Sequence, residues 1–405
     1  MKGPQMKQNT ITLFGLAVMA SVYSGSGQMP QFDPVDVYLM GGPDGAAVAD
    51  FNGDGCLDIA TALGSDDIGV VLGNGDGTFQ DPQYFTPPTH GLGSTAAPVP
   101  GDLNEDGRPD LVVVQYGSRD AISVLVNTST AGTLSFSDSP MVLMGSETTC
   151  AALGDLDGDG HLDVMTANIG SSALGSLSYR VGNGDGTFTP PFLQDPYYVF
   201  AGDLPTSLAL GDLNGDGKLD VAVTYAAATG LSASKVGVLI NAGPGTYQPV
   251  SFEPVKFYGV GSTTMSLALG DYNRDGELDV AVGLVEKNSV LILLNNGTGK
   301  FTTKGRVNYP VGQMPIAVTA ADFNSDSKLD LAAANLDSMS LSILLGNGNG
   351  TFRAGHTRPA TIVTDGLPNG AMAVGDFNQD GLPDLVVPLV LADADFGLLT
   401  ILLND

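Results

Sequence analysis

A nine-residue acidic segment with the pattern Asp-x-Asn/Asp-x-Asp-Gly-x-x-Asp occurs seven times in this chain of 405 residues, with one departure at the glycine. Neighbouring copies begin 51 to 59 residues apart. A regular period of this length is typical of solenoid and propeller proteins, in which each repeat packs against its neighbours. The repeat therefore outweighs the two or three separate domains that the length alone suggests. The copies begin at Asp50, Asp102, Asp155, Asp212, Asp271, Asp322 and Asp376.

Each acidic loop lies between short apolar segments that read as strands. A strand of small residues such as Ser207–Gly211 precedes it, and a strand of branched residues such as Leu219–Val223 follows it. A third strand such as Val290–Leu294 leads to a Gly/Asn turn such as Gly73–Phe79, and a more polar fourth strand such as Thr303–Val311 comes next. Gly and Asn favour the positive φ of tight hairpins. Four strands per repeat predict one propeller blade, with the small-residue strand innermost and the polar strand at the outer edge.

The two ends of the chain complement each other. The last repeat stops after Leu398–Leu403, where other repeats continue into a turn and a fourth strand. The segment Phe32–Met40 precedes the first loop and resembles such a fourth strand. We therefore expect Phe32–Met40 to pair with Leu398–Leu403 and close a ring, whereas an open solenoid would need polar caps. The predicted fold is an all-β, seven-bladed β-propeller of four-stranded antiparallel blades over residues 29–405.

Oxygen-bearing side chains occupy positions 1, 3, 5 and 9 of every loop. Oxygens at alternate positions of a tightly turning backbone can point at one centre, and Ca²⁺ takes about six to eight such ligands. We expect the backbone carbonyl of position 7 to add a ligand, and the Gly at position 6 to permit the sharp turn. The sequence predicts up to seven Ca²⁺ sites, one per blade. The candidate ligand residues, with position 7 acting through its backbone, are Asp50, Asn52, Asp54, Cys56, Asp58; Asp102, Asn104, Asp106, Arg108, Asp110; Asp155, Asp157, Asp159, His161, Asp163; Asp212, Asn214, Asp216, Lys218, Asp220; Asp271, Asn273, Asp275, Glu277, Asp279; Asp322, Asn324, Asp326, Lys328, Asp330; and Asp376, Asn378, Asp380, Leu382, Asp384.

Three other interpretations of the loops are compared with calcium binding. An EF-hand begins similarly but needs flanking helices and a Glu at position 12, which is Thr, Val or Ala in all seven copies. A hairpin turn without metal would explain one isolated copy, and a solvated acidic surface would explain the charge. Seven copies with all four oxygen positions filled favour calcium over both. In the sixth loop Ser327 replaces the Gly, and because a Cβ is strained at positive φ we expect that site to be the weakest.

The chain carries 44 acidic and 16 basic residues, a formal charge of −28. Twenty-two of the acidic residues stand at loop positions 1, 3, 5 and 9, three in each of six loops and four in the third. Much of the acidity is thus explained as ligand charge. Binding to nucleic acid is not expected, since it requires clustered Lys and Arg.

Residues 1–28 have the order of a secretory signal peptide. Lys2 and Lys7 precede the apolar run Ile11–Tyr23, and small polar residues follow it. An uncleaved membrane anchor is the alternative, but the run is shorter than the about 20 residues that span a bilayer. We expect a secreted or cell-surface protein without a membrane span after signal removal. Cys56 and Cys150 lie in different repeats, so we expect no disulfide between them.

The loops, such as Asp212–Asp220, resemble the FG-GAP repeats of integrin α-subunit propellers, and Leu72–Phe79 resembles the related VCBS repeats of exported bacterial proteins. The resemblance covers residues 30 to 405. It implies a calcium-binding propeller. Members of these families serve as adhesion, lectin-like or assembly modules, and some are attached to enzymes or degrade polysaccharides.

The sequence offers no evident catalytic machinery. His90, His161 and His356 fall in different repeats, and neither a Gly-x-Ser-x-Gly elbow nor a His-Glu-x-x-His motif occurs. We therefore expect a non-enzymatic, monomeric binding or scaffold module whose partner is a glycan or an extracellular or cell-surface protein. The alternative is a carbohydrate-active enzyme, a polysaccharide lyase or hydrolase, that uses a propeller face. Asp195–Phe200 could stack against sugars, although outer-strand packing explains it as well.

Overall fold

A computed structural model describes residues 29–404, except 65–66, 88–92, 96, 118–120, 131, 171–174, 190–198, 201–203, 228–233, 246–248, 303–306, 354–359, 365 and 392–395. The regular secondary structure of the described residues is entirely β-strand. The strands form the seven blades of a β-propeller, which confirms the predicted fold. The predicted signal segment 1–28 lies outside the described residues. In the described part of the chain, no helix has the length and apolar character needed to cross a membrane.

The first three blades follow the acidic repeats in chain order. The first strand, β1 (Phe32–Met40), belongs to the last blade. Blade 1 contains β2 (Pro43–Ala49), β3 (Asp58–Leu63), β4 (Ile68–Val71) and β5 (Gln83–Phe85). Blade 2 contains β6 (Gly93–Thr95), β7 (Val99–Gly101), β8 (Asp110–Gly117), β9 (Ala121–Asn127), β10 (Phe136–Asp138) and β11 (Val142–Leu143). Blade 3 contains β12 (Thr148–Gly154), β13 (Asp163–Asn168), β14 (Ser176–Arg180) and β15 (Val199–Phe200).

The remaining four blades repeat this arrangement. Blade 4 contains β16 (Leu204–Gly211), β17 (Asp220–Ala226), β18 (Lys235–Leu239), the ribbon β19 (Asn241–Gly243) and β20 (Ser251–Phe252), and β21 (Lys256–Gly259). Blade 5 contains β22 (Leu267–Gly270), β23 (Asp279–Leu284), β24 (Ser289–Leu293) and β25 (Asn308–Pro310). Blade 6 contains β26 (Pro315–Ala321), β27 (Asp330–Asn335), β28 (Ser340–Leu344) and β29 (Ala360–Val363). Blade 7 contains β30 (Leu367–Pro368), β31 (Ala373–Gly375), β32 (Asp384–Val390), β33 (Phe396–Asn404) and β1.

The strand of small residues is the innermost strand of each blade, as the sequence predicted. The strands β2, β7, β12, β16, β22, β26 and β31 lie side by side in that order, and β31 lies beside β2. Residues in or beside the inner strands of blades 4 to 7 line a cavity of about 380 Å³. Examples are Ser207, Ser266 and Ala317. In blades 2 and 7 the inner strand is divided in two, and in β2, β12, β16 and β26 it carries a register shift.

A small residue ends each inner strand because the next blade packs directly onto it. A Cβ added at Gly154 would lie 2.5 Å from Leu219 Cδ1, and one at Gly211 would lie 2.7 Å from Leu278 Cδ1. The contacted Leu is position 8 of the following acidic loop. The end of the inner strand and the acidic loop are therefore fixed together by packing between blades.

The first described strand pairs with the last. Strand β1 is antiparallel to β33, with Phe32 opposite Asn404 and Met40 opposite Phe396. This is the pairing that the sequence suggested for Phe32–Met40 and Leu398–Leu403. The outer strand of blade 7 is thus supplied from the other end of the chain.

One hydrogen bond recurs at every junction between neighbouring blades. Its acceptor is always the backbone carbonyl of position 2 in an acidic loop, and its donor belongs to the end of the third strand, or the turn after it, in the next blade. The donor is either a turn glycine N–H or the Nδ2 of a buried Asn. The bonds are Asn127 to Phe51, Gly186 to Leu103, Asn241 to Leu156, Gly299 and Asn295 to Leu213, Gly350 to Tyr272, Asn404 to Phe323, and Gly77 to Phe377.

Candidate metal centres

The seven acidic loops lie on one face of the propeller. Each loop joins the inner strand of a blade to its second strand, and because the strands alternate in direction, the turns between third and fourth strands lie at the same end. Direct contacts join neighbouring loops. Gln379 Nε2 of loop 7 donates to Gly55 O of loop 1 at 3.1 Å, and Glu105 of loop 2 forms an ion pair with His161 of loop 3.

The backbone turns through positive φ at two positions of each loop. Position 6 is predicted to need this conformation, and φ is +86° at Gly55 and +84° at Gly217. Position 4 also has positive φ, which the sequence analysis missed, since Glu105, Arg274, Ser325 and Gln379 stand there with φ between 55° and 62°. A non-Gly residue rarely adopts this conformation. The four oxygen-bearing residues therefore sit on a backbone bent twice within three residues.

Side chains at positions 1, 3 and 5 hold this bent backbone by accepting its N–H groups. In loop 4, Asp212 Oδ2 accepts from Gly217 N at 2.8 Å, Asn214 Oδ1 from Asp216 N at 3.0 Å, and Asp216 Oδ1 from Lys218 N at 3.0 Å. The same three bonds occur in all seven loops. These hydrogen bonds direct each side chain towards the inside of its turn.

The aspartate at position 9 is fully buried in every loop and connects three parts of its blade. Asp163 Oδ2 accepts from Leu156 N at 2.8 Å, and Asp163 Oδ1 accepts from Gly182 N at 2.9 Å. The donors are position 2 of the loop and a residue that ends the third strand or lies two residues beyond its end. The same pair of bonds is made by Asp58, Asp110, Asp220, Asp279, Asp330 and Asp384. Position 9 thus has a structural role that the loop pattern alone does not reveal.

Burial makes the negative charge at position 9 unfavourable. It raises the pKa of Asp58, Asp163, Asp279 and Asp330 to about 7, although the two N–H donors oppose the shift. The pKa values of Asp110, Asp220 and Asp384 are raised for the same first reason. At six of these sites the nearby carboxylates of positions 1 and 5 raise the pKa further. At Asp163 the carboxylates of positions 3 and 5 do so. A cation in the loop would relieve this repulsion.

The third loop has the densest cluster of acidic groups. Carboxylate oxygens of Asp155, Asp157 and Asp159 lie within 4.8 Å of one another, so one ion could contact all three. Among the described residues, the carboxylate of Asp163 does not belong to this group of three. The donors are all hard oxygens, which suits Ca²⁺ rather than a metal that prefers nitrogen or sulfur. Positions 1, 3 and 5 of loop 3 therefore offer three oxygen ligands of the kind that calcium prefers.

Other predicted residues are placed as follows. Cys56 and Cys150 are both free thiols, in agreement with the expected absence of a disulfide. His161 lies at the loop face beside Glu105, whereas His90 and His356 fall outside the described residues. Of the proposed sugar-stacking segment Asp195–Phe200, only the short strand β15 is described.

Replacing Ser327 with Gly is expected to strengthen the sixth loop. Ser327 has φ of +62°, and its N–H donates to Asp322 Oδ2 at 2.7 Å, so the strained conformation is needed for the loop. Relief of the Cβ strain should stabilise the folded protein by about 0.5–1 kcal/mol and tighten calcium binding at this site. Thermal melting and calcium titration of Ser327→Gly measure both effects. Unchanged calcium binding would contradict the prediction that Ser327 weakens the site.

Two family models match most of the repeats. The FG-GAP-like repeat matches residues 50–113, 102–166, 282–333 and 322–387, and the FG-GAP repeat matches residues 204–239. The matched segments include six of the seven acidic loops. A search of curated proteins finds no relative of significant similarity.

Solved structures share the fold at low sequence identity. BBS1N in complex with ARL6DN is 12% identical with a TM-score of 0.59, over 93% of this chain and 97% of that chain. A streptogramin B lyase is 14% identical with a TM-score of 0.57, over 93% and 99% of the two chains. Raptor of Chaetomium thermophilum is 9% identical with a TM-score of 0.57, over 93% of this chain and 29% of its own. These similarities show the propeller fold, and the matched repeats show that this chain belongs to the FG-GAP-like repeat family.

Proposed function

We propose that this protein is an exported calcium-binding propeller that acts as a binding or scaffold module for a glycan or protein partner. The observation that carries the proposal is the cluster of Asp155, Asp157 and Asp159, whose oxygens converge within 4.8 Å on a turn built the same way in all seven loops. Calcium bound there would supply positive charge that offsets the repelling carboxylates. The protein's residues supply the oxygens and the preformed turn.

The loop face is the part of the molecule best suited to a partner. It combines the seven acidic loops with turns of different sequence, such as residues 73–79 and 295–301. Variable loops on a rigid scaffold are the usual place for recognition. Calcium exposed there can bind hydroxyl or carboxylate oxygens of a partner directly. BBS1N has a similar fold and is found in a complex with ARL6DN, which supports a protein partner.

A carbohydrate-active enzyme remains the second candidate. The observation in its favour is that a streptogramin B lyase has the same fold, so a propeller of this kind can carry a lyase. The fold alone does not transfer an activity. In the described residues, the acidic groups are concentrated in the calcium loops, where metal binding explains them. We therefore propose a non-enzymatic role.

The experiment is a calcium titration combined with a binding screen. The purified protein should bind calcium, and its melting temperature should rise by about 10 °C or more when calcium replaces EDTA, because several sites stabilise the folded state together. Screening glycans and extracellular proteins with calcium and with EDTA should give a partner that binds only with calcium. A metal-free protein whose melting is unaffected by EDTA would refute the calcium role. Calcium-dependent turnover of a polysaccharide would favour the enzyme.

A further inference from the structure

Three acidic loops carry Arg or Lys at position 7, and loop 5 carries Arg274 at position 4. At position 7, loops 2, 4 and 6 have Arg108, Lys218 and Lys328, whereas the other four have Cys56, His161, Glu277 and Leu382. Lys218 Nζ lies 2.9 Å from Asp216 Oδ2, and Lys328 Nζ lies 2.8 Å from Asp326 Oδ2. Arg108 Nη2 forms the same ion pair with Asp106. The basic residues thus occur in every second blade and contact the same carboxylate.

The basic side chain contacts an oxygen that an asparagine amide contacts in other loops. In loops 1, 5 and 7 the second oxygen of position 5 accepts from the Asn at position 3, as in Asn52 Nδ2 to Asp54 Oδ2 at 2.8 Å. In loop 6 that oxygen is bound by Lys328. The Nδ2 of Asn324 is buried there and has no hydrogen-bond partner among the described residues. In loop 6 the Lys328 cation therefore replaces the contact that the Asn amide makes in loops 1, 5 and 7.

We propose that Arg108, Lys218 and Lys328 are tethered counter-cations that make loops 2, 4 and 6 a low-affinity class of calcium sites. This inference rests on the calcium binding proposed above. Calcium affinity in oxygen-ligand loops depends on the number of ligand charges. At positions 1, 3, 5 and 9, loops 2, 4 and 6 have three carboxylates and add a cation at position 7, whereas loops 1, 5 and 7 have three carboxylates and no cation at position 7. Loop 3 has four carboxylates at these positions.

The consequence is two classes of site that alternate from loop 1 to loop 7, with loops 7 and 1 adjacent and in the same class. Loops 1, 3, 5 and 7 would stay filled at low calcium, while loops 2, 4 and 6 would fill only at higher concentration. The tethered cation lies close to the ion it opposes, but it is partly exposed, with 29% to 43% of the side chain accessible, so water screens it. We expect a difference of about threefold to tenfold in Kd between otherwise equal sites.

A reciprocal substitution tests this inference in the full chain. Lys218→Leu gives loop 4 the residue found naturally at Leu382, and Leu382→Lys gives loop 7 the residue found naturally at Lys218. Calorimetric titration should show that Lys218→Leu moves one site into the tight class and that Leu382→Lys moves one site into the weak class. In EDTA the melting temperature should change in the opposite sense, falling for Lys218→Leu and rising for Leu382→Lys. The metal-free readout separates the charge effect from loss of folding.

Two controls complete the design. Lys218→Arg keeps the charge and should leave the two classes unchanged, since Arg108 stands at the same position of loop 2. Lys256→Leu removes a charge from the outer strand, where Lys256 pairs with Glu253, and should leave calcium binding unchanged. If the wild-type protein binds calcium but neither loop substitution shifts a site, the counter-cation role is wrong. If the wild-type protein binds no calcium, the proposed function itself is wrong.

Discussion

Asp163→Ala is expected to lower the free energy of unfolding by about 2–5 kcal/mol, in EDTA as well as in calcium. The reason is that Asp163 is fully buried and accepts backbone N–H groups from Leu156 and Gly182. Alanine would leave both donors buried without an acceptor. Denaturant unfolding in both buffers measures the loss, which should persist in EDTA because both hydrogen bonds join groups of the protein itself.

The matched control is Asp157→Asn in the same loop. Asparagine is the natural residue at position 3 of the other six loops, so the turn should be kept. Stability in EDTA should be unchanged or slightly higher, because one of three clustered carboxylates is lost, while calcium binding by loop 3 should weaken several-fold. If Asp163→Ala were destabilising only in calcium, position 9 would act mainly as a ligand, and its structural role would be refuted.

The dependence of stability on pH is expected to change sign when calcium is added. In the metal-free protein, burial raises the pKa of Asp58, Asp163, Asp279 and Asp330 to about 7 from an ordinary value of 3.8. A group whose folded-state pKa is raised stabilises the fold fully below its unfolded pKa, and that stability is lost as pH rises through the folded pKa. Metal-free protein should therefore lose stability between about pH 4 and pH 7.

Calcium should reverse this trend because it binds the ionised carboxylates. Metal affinity rises as the ligands lose their protons, so the stabilisation by calcium should be larger at pH 8 than at pH 5. Melting temperatures at these two pH values, with calcium and with EDTA, give the four numbers needed. A metal-free protein that is more stable at pH 8 than at pH 5 would contradict the raised pKa values.

Local patterns predicted the architecture because each repeat carries its own signals. The Gly and Asn residues of the turns, the apolar strands and the small inner strand are all visible within about fifty residues of sequence. The pairing of β1 with β33 was also foreseeable, since one end of the chain lacks the strand that the other end has. The acidic residues of the turns were found by their spacing.

The remaining features depend on contacts between distant residues. The buried acceptor role of Asp163 requires Gly182, which is 19 residues away, and the carbonyl of Phe51 receives its hydrogen bond from Asn127, 76 residues away. The positive φ of Glu105 is set by its place in the turn and not by its own preference. The ion pair of Lys218 with Asp216 depends on the side-chain conformation, which the pattern of a loop does not specify.

The bond between neighbouring blades has a consequence for how freely this molecule can vary. Where a glycine turn supplies the donor, as Gly186 does in blade 3, the turn must keep its length and shape. Where Asn127 of blade 2 or Asn241 of blade 4 supplies it, the junction is complete before the chain enters the turn. In blade 7 Asn404 supplies it, and the outer strand there comes from the other end of the chain. Blades 2 and 4 are therefore the places where new segments could be inserted beside the acidic loops without opening the circle of blades.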